Sequence, residues 1–408
     1  MRIIKKCIEA IKEGIFFEKV IWSLLIRTKV YKLIGLKQII NEKKIIFSNF
    51  CGLGYGDNPK AIAEYILTNN LDYDLVWLID KKKDNGLSVP NCIRKVDFFS
   101  IEALKELATA KIWIDNCRKS YFPKKKKGQI YIQTWHGSLA LKKIEADAPS
   151  LPNQYVTIAK NDSKAIDVIL SGCKFKSSVF KNSFWYSGDV LNIGTPRADV
   201  FFNESKILEN KYKVMEFYKI ARNTKIVMYA PTFRQSHDLD IYKLDYNQLE
   251  KALIKKFGGD WKILVRLHPN IAYRASELDL PSTVINVTNY KDMQELLCTS
   301  DVVISDYSGL MFDFYIMNRP LFLFCTDFDE YTSKDRELYF NMEELPFTIA
   351  KNNTALCENV LCFEKEKYLN TIRNFKKKIG FCEEGTACER LFNWINTFNG
   401  AGGEYNGK

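Results

Sequence analysis

D-V-V-I-S-D-Y-S-G-L-M-F-D-F-Y-I-M, residues 301–317, reads as one complete strand–turn–helix unit. Val302–Ser305 is a short apolar run of the kind found inside a parallel sheet. Residues 305–309 form a tight polar turn, and 310–317 have helical spacing. The alternation continues outward in both directions. Residues 226–230, 262–267, 283–287 and Leu321–Phe324 read as strands, with helices at 249–257 and 292–299. The first half repeats the pattern, with strands at 44–50, 75–79, 112–115 and 129–134 and helices at 59–68 and 101–108. Short apolar strands alternating with helices predict an α/β fold of parallel sheets covered on both faces. A chain of 408 residues is too long for one such core. Two doubly wound domains facing a cleft are therefore expected. The polar helix at 203–219 separates the patterns, giving a first unit at 45–205 and a second at 206–382. Residues 383–408 make a C-terminal helix and tail, and 383–395 can pack back on the first unit.

Composition sets limits on function. Hydrophobic content of 46% with 27% charged residues describes a folded protein. No apolar run approaches the roughly 20 residues that span a bilayer. The first ten residues lack the apolar core and cleavage site of an export signal. Net charge is +11, and residues 1–44 hold eleven Lys/Arg against four Asp/Glu. That leader also carries Phe16, Trp22, Leu24 and Leu25, so it reads as a basic amphipathic helix on an anionic membrane surface. It reads equally as a solvated helix covering the first domain. The basic run 124–127 follows Pro123 and precedes a strand, which makes it an exposed loop, and no nucleic-acid partner is expected. Eleven scattered cysteines without a C-x-x-C pair fit a reducing compartment, without structural disulfides or a protein-built metal site. The D-x-D patterns at 72–74, 238–240 and 327–329 are too common to signal a metal, and no cofactor is expected.

Chemistry concentrates at strand ends, where open α/β sheets bind ligands. Of three histidines, two stand at such corners: His136 in Q-T-W-H-G and His268 in R-L-H-P. The third, His237, lies in a polar loop and reads as a surface residue. His136 precedes Gly137, which permits close approach, and suits a general base; a loop histidine packed on Trp135 fits the same residues. His268 and Arg266 point to one side by strand alternation and suit a phosphate; a core histidine beside a salt-bridged arginine fits as well. In Ser305–Gly309, a helix N-terminus with Ser308 suits a phosphate, and plain capping by Asp306 or Ser308 fits equally. Asp313 lies one helical turn past Gly309. The corners 193–197 and 229–234 end in Arg197 and Arg234. The glycine-rich stretch 52–56 has neither dinucleotide-binding nor P-loop spacing.

In order along the chain, Q-T-W-H-G, N-I-G-T-P-R, Y-A-P-T-F-R, R-L-H-P, T-N-Y-K-D-M-Q-E-L-L and S-D-Y-S-G-L-M-F-D-F resemble the CDP-glycerol glycerophosphotransferases of teichoic-acid and capsule synthesis. The resemblance covers roughly residues 45–395. It implies a GT-B-like architecture of two Rossmann-like domains, with the CDP-alditol held mainly by the second. It further implies attack by an acceptor hydroxyl on the β-phosphate of CDP-glycerol or CDP-ribitol, with release of CMP. The implied acceptor is a lipid-linked or polymeric polyol phosphate or glycan, at the cytoplasmic face of the membrane. Carried over, His136 is the base and His268 stabilises the transferring phosphate. Gly137, Ser138, Leu139, Ala140, Arg197, Pro231, Thr232, Arg234, Arg266, Ser305, Ser308, Gly309 and Asp313 line the donor site. The chain departs from the family at Ser138-Leu139 (for Thr-Pro), Gly309 (for Ser) and Phe233 (for Trp). A sugar-transferring GT-B enzyme and a non-catalytic membrane scaffold remain as other readings.

Overall fold

The computed structural model describes residues 38–82, 89–119, 124–234, 242–268, 271, 274, 277, 280–331 and 337–400. The leader through residue 37, His237 and the tail from 401 lie outside the described residues. The first sheet contains β1 (Asn41–Ser48), β2 (Asp74–Ile79), β3 (Arg94–Asp97), β4 (Ala110–Asp115), β5 (Ile130–Gln133), β6 (Val168–Ser171) and β7 (Asp189–Asn192). All are parallel, in the order β3-β2-β1-β4-β5-β6-β7. Its helices are α1 (Asp57–Thr68), α2 (Ile101–Thr109), α3 (Asn153–Ala165) and α4 (Lys174–Ser183). α5 (Glu204–Phe217) leads into the second sheet: β8 (Lys225–Tyr229), β9 (Trp261–Val265), β10 (Val284–Asn286), β11 (Val302–Ser305), β12 (Leu321–Phe324) and β13 (Thr348–Ala350). These are also parallel, in the order β10-β9-β8-β11-β12-β13. Among them run α6 (Tyr246–Phe257), α7 (Met293–Thr299), α8 (Met311–Phe314), α9 (Asn353–Leu361) and α10 (Lys365–Ile379); α11 (Ala387–Gly400) closes the described chain. The two doubly wound sheets match the expected fold class.

Strand runs such as Leu75–Ile79 are buried throughout, because helices cover both faces of the sheet. Helix starts carry side-chain caps: Ser100 accepts from Ala103 N–H and Asp292 from Glu295 N–H. Four strands escaped the sequence reading. β3, β7 and β13 are edge strands with exposed residues, whereas β6 is a buried apolar run like β11 that the alternation should have included. The expected helix at 310–317 is a single α turn, α8, continued by a 3-10 turn at Tyr315–Met317.

Strand order reverses between β1 and β4 and again between β8 and β11, opening a crevice at the carboxyl ends of each sheet. The chain crosses between the sheets twice. It first passes through the 3-10 segment Pro196–Phe202 into α5, which packs on α7. It returns after α10, where Gly380 adopts a left-handed cap and Cys382 N–H donates to Gly172 O at 3.0 Å. α11 then lies on α1, with Phe392 stacked on Tyr65 at 5.5 Å and Leu391 and Ile395 buried alongside Ile62 and Ile66.

Candidate active site

At the first crevice, the ladder runs one residue past β5, with Thr134 N–H donating to Asp115 O at 2.8 Å. Trp135 then takes φ 53°, a left-handed conformation that a bulky residue seldom adopts. Its N–H donates to Gln133 Oε1 at 2.9 Å, and its carbonyl accepts from Asn58 Nδ2 at 2.9 Å. This held corner delivers His136. The imidazole stacks on Trp135 (4.6 Å) and meets the Phe50 ring at 5.2 Å. Nδ1 lies 2.9 Å from Asn116 O. A carbonyl only accepts, so Nδ1 carries the hydrogen and the Nε2 lone pair remains for chemistry. Asn116 Oδ1 accepts from Phe50 N–H and its Nδ2 donates to Asn49 Oδ1, both at 2.8 Å, so the ends of β1 and β4 together aim the ring. The side chain is accessible from the cleft, yet it is walled by protein. Burial, joined by Arg197 and Lys176, lowers its pKa below the ordinary 6.5 against the pull of Asn116 O and Asp57. His136 is therefore a neutral base at pH 7.

At the second crevice, the buried Asp306 accepts from Thr232 N–H at 2.8 and 3.0 Å and pairs with Arg234 Nη2 at 2.9 Å. Ser305 Oγ donates to Ala230 O at 2.7 Å, tying β11 to the turn after β8. Arg234 also donates from Nε to Asp327 at 2.6 Å and from Nη1 to Thr232 O at 2.6 Å, beside the stacked Tyr307 and Tyr331 rings. Every nitrogen of this expected donor-lining guanidinium is engaged inside the protein. Arg266 Nη1 donates to Tyr290 O at 2.5 Å. Pro231 is buried, and the buried Thr232 hydroxyl has no hydrogen-bond partner. His268 is accessible at the end of β9, with the Phe233 ring 5.9 Å away. Burial first, then Lys142 and Arg266, lower its pKa, and Asp306 opposes them. Ser308 Oγ accepts from Leu310 N–H at 3.4 Å. A Cβ on Gly309 would meet only Leu139 O, at 3.6 Å, an ordinary contact.

The segment after His136 joins the two domains. Ser138 N–H and Oγ donate to Asp313 Oδ1 at 3.2 and 2.6 Å. Arg197 donates to Asp313 Oδ2 at 2.5 Å and to Asp57 through its other terminal nitrogen. Leu139 is buried in the second domain's core, whereas Ala140 is partly accessible. Lys142 forms an antiparallel bridge with Leu338, and Lys60 of α1 pairs with Asp292 at 2.6 Å. The geometry thus brings Ser138, Arg197 and Asp313 together, and separately Thr232, Arg234 and Ser305 around Asp306.

Two residues of the first crevice went unread in the sequence. Lys176, buried on α4, donates to Gly137 O at 2.6 Å, and burial lowers its pKa. Glu383, on the returning chain, accepts from Thr195 N–H at 2.7 Å. Gly172 and Gly194 form its socket: a Cβ at Gly172 would collide with the carboxylate, and one at Gly194 would come within 2.9 Å. Those glycines were the only trace in the sequence, and the first lies in an unremarked S-G-C. A groove of about 920 Å3 runs between α1, residues 196–202 and α5. Neither histidine lines it, and nine carboxylates face four cations on its walls, a balance that disfavours a phosphate-bearing ligand there. No group of three His, Cys, Asp or Glu stands placed for a metal among the described residues.

Residues 30–397 match the family model described as CDP-Glycerol:Poly(glycerophosphate) glycerophosphotransferase. A teichoic acid poly(glycerol phosphate) polymerase of Staphylococcus epidermidis is 30% identical over 383 residues, which are 90% of this chain and 52% of the relative. The chain thus spans about half the length of that protein. A teichoic acid glycerol-phosphate transferase of Staphylococcus aureus is 31% identical over 368 residues, covering 87% of this chain and 93% of the relative. A structure of the wall teichoic acid polymerase TagF soaked with CDPG superposes with a TM-score of 0.77 at 29% identity, covering 94% of this chain and 97% of that one.

Proposed function

The chain belongs to the CDP-glycerol:poly(glycerophosphate) glycerophosphotransferase family, and on that premise we propose that it transfers glycerol phosphate, or a related alditol phosphate, from a CDP-alditol to an acceptor hydroxyl. The acceptor oxygen bonds to the β-phosphorus as the bond from that phosphorus to the CMP oxygen breaks, and CMP leaves with the electron pair. The hydroxyl proton passes to His136 Nε2. The observation that carries this reading is the His136 tautomer: Asn116 O fixes the hydrogen on Nδ1, and burial keeps the ring neutral. His268 at the facing corner takes the transferring phosphate. Residues 45–205 then form the acceptor side and 206–382 the donor side, and the basic leader holds the enzyme to the cytoplasmic face of an anionic membrane. The acceptor is a lipid-linked or polymeric polyol phosphate or glycan.

CMP release from CDP-glycerol and CDP-ribitol, each with defined acceptors, tests the reading. His136→Ala should cut turnover by about 10² to 10⁴. Turnover of a UDP-sugar with no CMP from either alditol donor would refute it. Deleting residues 1–37 should reduce binding to anionic liposomes, and unchanged binding would sink the membrane role.

A further inference from the structure

Asp313 sits on α8 of the second domain, yet both its oxygens serve the first. Oδ1 accepts the amide and hydroxyl of Ser138, and Oδ2 accepts Arg197 Nη2. From Arg197 the chain of bonds continues: its amide donates to Asn58 Oδ1 at 3.0 Å, and Asn58 Nδ2 holds Trp135 O. Asp313 thus reaches the chain on both sides of His136: Ser138, two residues on, directly, and Trp135, the residue before, through two intermediaries. It is 1% exposed, and both oxygens accept from first-domain groups.

Resting on His136 as the base, we infer that Asp313 is a positioning residue that docks the second domain onto the loop from His136 to Ala140 and so aims the imidazole, instead of lining the donor site. The domain that takes the CDP-alditol then sets the base that acts on the acceptor. An undocked enzyme leaves that base without its second-domain anchor, which restricts hydroxyl activation to the closed arrangement.

Asp313→Asn keeps the volume but turns one acceptor into a donor facing Ser138 or Arg197. The expected result is a fall in kcat for CMP release of about tenfold or more. The Kd for CDP-glycerol, measured by calorimetry without acceptor, should stay within about twofold. Ser138→Ala should lower kcat by about three- to tenfold, again with Kd held. In the double variant the losses should not multiply, because both changes remove one contact. A tenfold weaker Kd with kcat retained would overturn the inference in favour of a donor contact, as would multiplying losses. If Asp313→Asn does not fold, Ser138→Ala decides by the same split. A wild-type protein that releases no CMP with any acceptor defeats the functional reading itself. Wild-type turnover with kcat unchanged in both variants defeats only the role of Asp313.

Discussion

Replacing Glu383 by glutamine should remove a pH-dependent loss of stability. The carboxyl is buried in its glycine socket, with Oε2 accepting Thr195 N–H at 2.7 Å and the Thr195 side chain alongside it. Burial, outweighing help from Thr195 and Lys176, pushes its pKa from 4.5 up to about 7. Between those two values the native state keeps a proton that the unfolded chain releases. The contribution to stability is therefore fully present below pH 4.5 and is lost as pH rises through about 7. A shift of this size, at about 1.36 kcal/mol per unit, bounds the loss at about 3 kcal/mol. The Glu383→Gln variant keeps the shape and the acceptor, and its side-chain amide can donate to Thr195 Oγ1 in the same socket. Urea unfolding should find the two proteins within about 1 kcal/mol at pH 5 and the variant more stable by up to about 3 kcal/mol at pH 8, with equal m values. A gap between them that is the same at pH 5 and pH 8 refutes the assignment.

Two further outcomes follow from the crevices. The acid limb of kcat/KM should have its midpoint below 6.5, because burial lowers the pKa of His136 in the unliganded protein; a midpoint at or above 6.5 in a pH–rate series contradicts the neutral-base assignment. Arg234→Lys should destabilise the second domain by about 3–5 kcal/mol, since the lysine cannot span Asp306, Asp327 and Thr232 O together. The midpoint of denaturant unfolding reads that loss, and a change under about 1 kcal/mol would show the guanidinium to be dispensable.

Much of the architecture was legible because buried parallel strands read as apolar runs, as 44–50 and 302–305 do. Edge strands such as β3 and β7 face solvent and carry no such run. The histidine corners were legible because histidine is scarce and both examples end strands. What stayed hidden is what long-range contact decides. Arg197 and Arg234 stand at strand ends where a phosphate or a carboxylate could meet them, and the sequence leaves that choice open. Asp57 and Asp313 hold the first, and Asp306 and Asp327 hold the second. Glu383 was invisible for the same reason: it meets Thr195 from 188 residues away.

The proposed contact between His268 and the donor's pyrophosphate carries a proton count that tests it. Arg197 and Arg234 are held by carboxylates, whereas Arg266 gives only Nη1 to the carbonyls of Tyr290 and Val287 and has no carboxylate paired with it among the described residues. His268 is accessible at the second crevice, near Arg266 and Lys142. In the unliganded protein its pKa lies below 6.5 through burial and through Lys142 and Arg266. An arriving pyrophosphate reverses that balance, because an anion favours the imidazolium and offsets both cations. Donor binding should therefore take up a proton wherever the pH lies between the unliganded and liganded pKa values of His268. The affinity for CDP-glycerol should tighten as pH falls through that window. Calorimetry in buffers of different ionisation enthalpy measures the uptake directly, and His268→Gln should abolish it while His136→Ala should not. Binding without proton uptake, or uptake that survives His268→Gln, would remove His268 from the phosphate. The charge would then fall to Arg266, to backbone amides and to the unpartnered hydroxyl of Thr232.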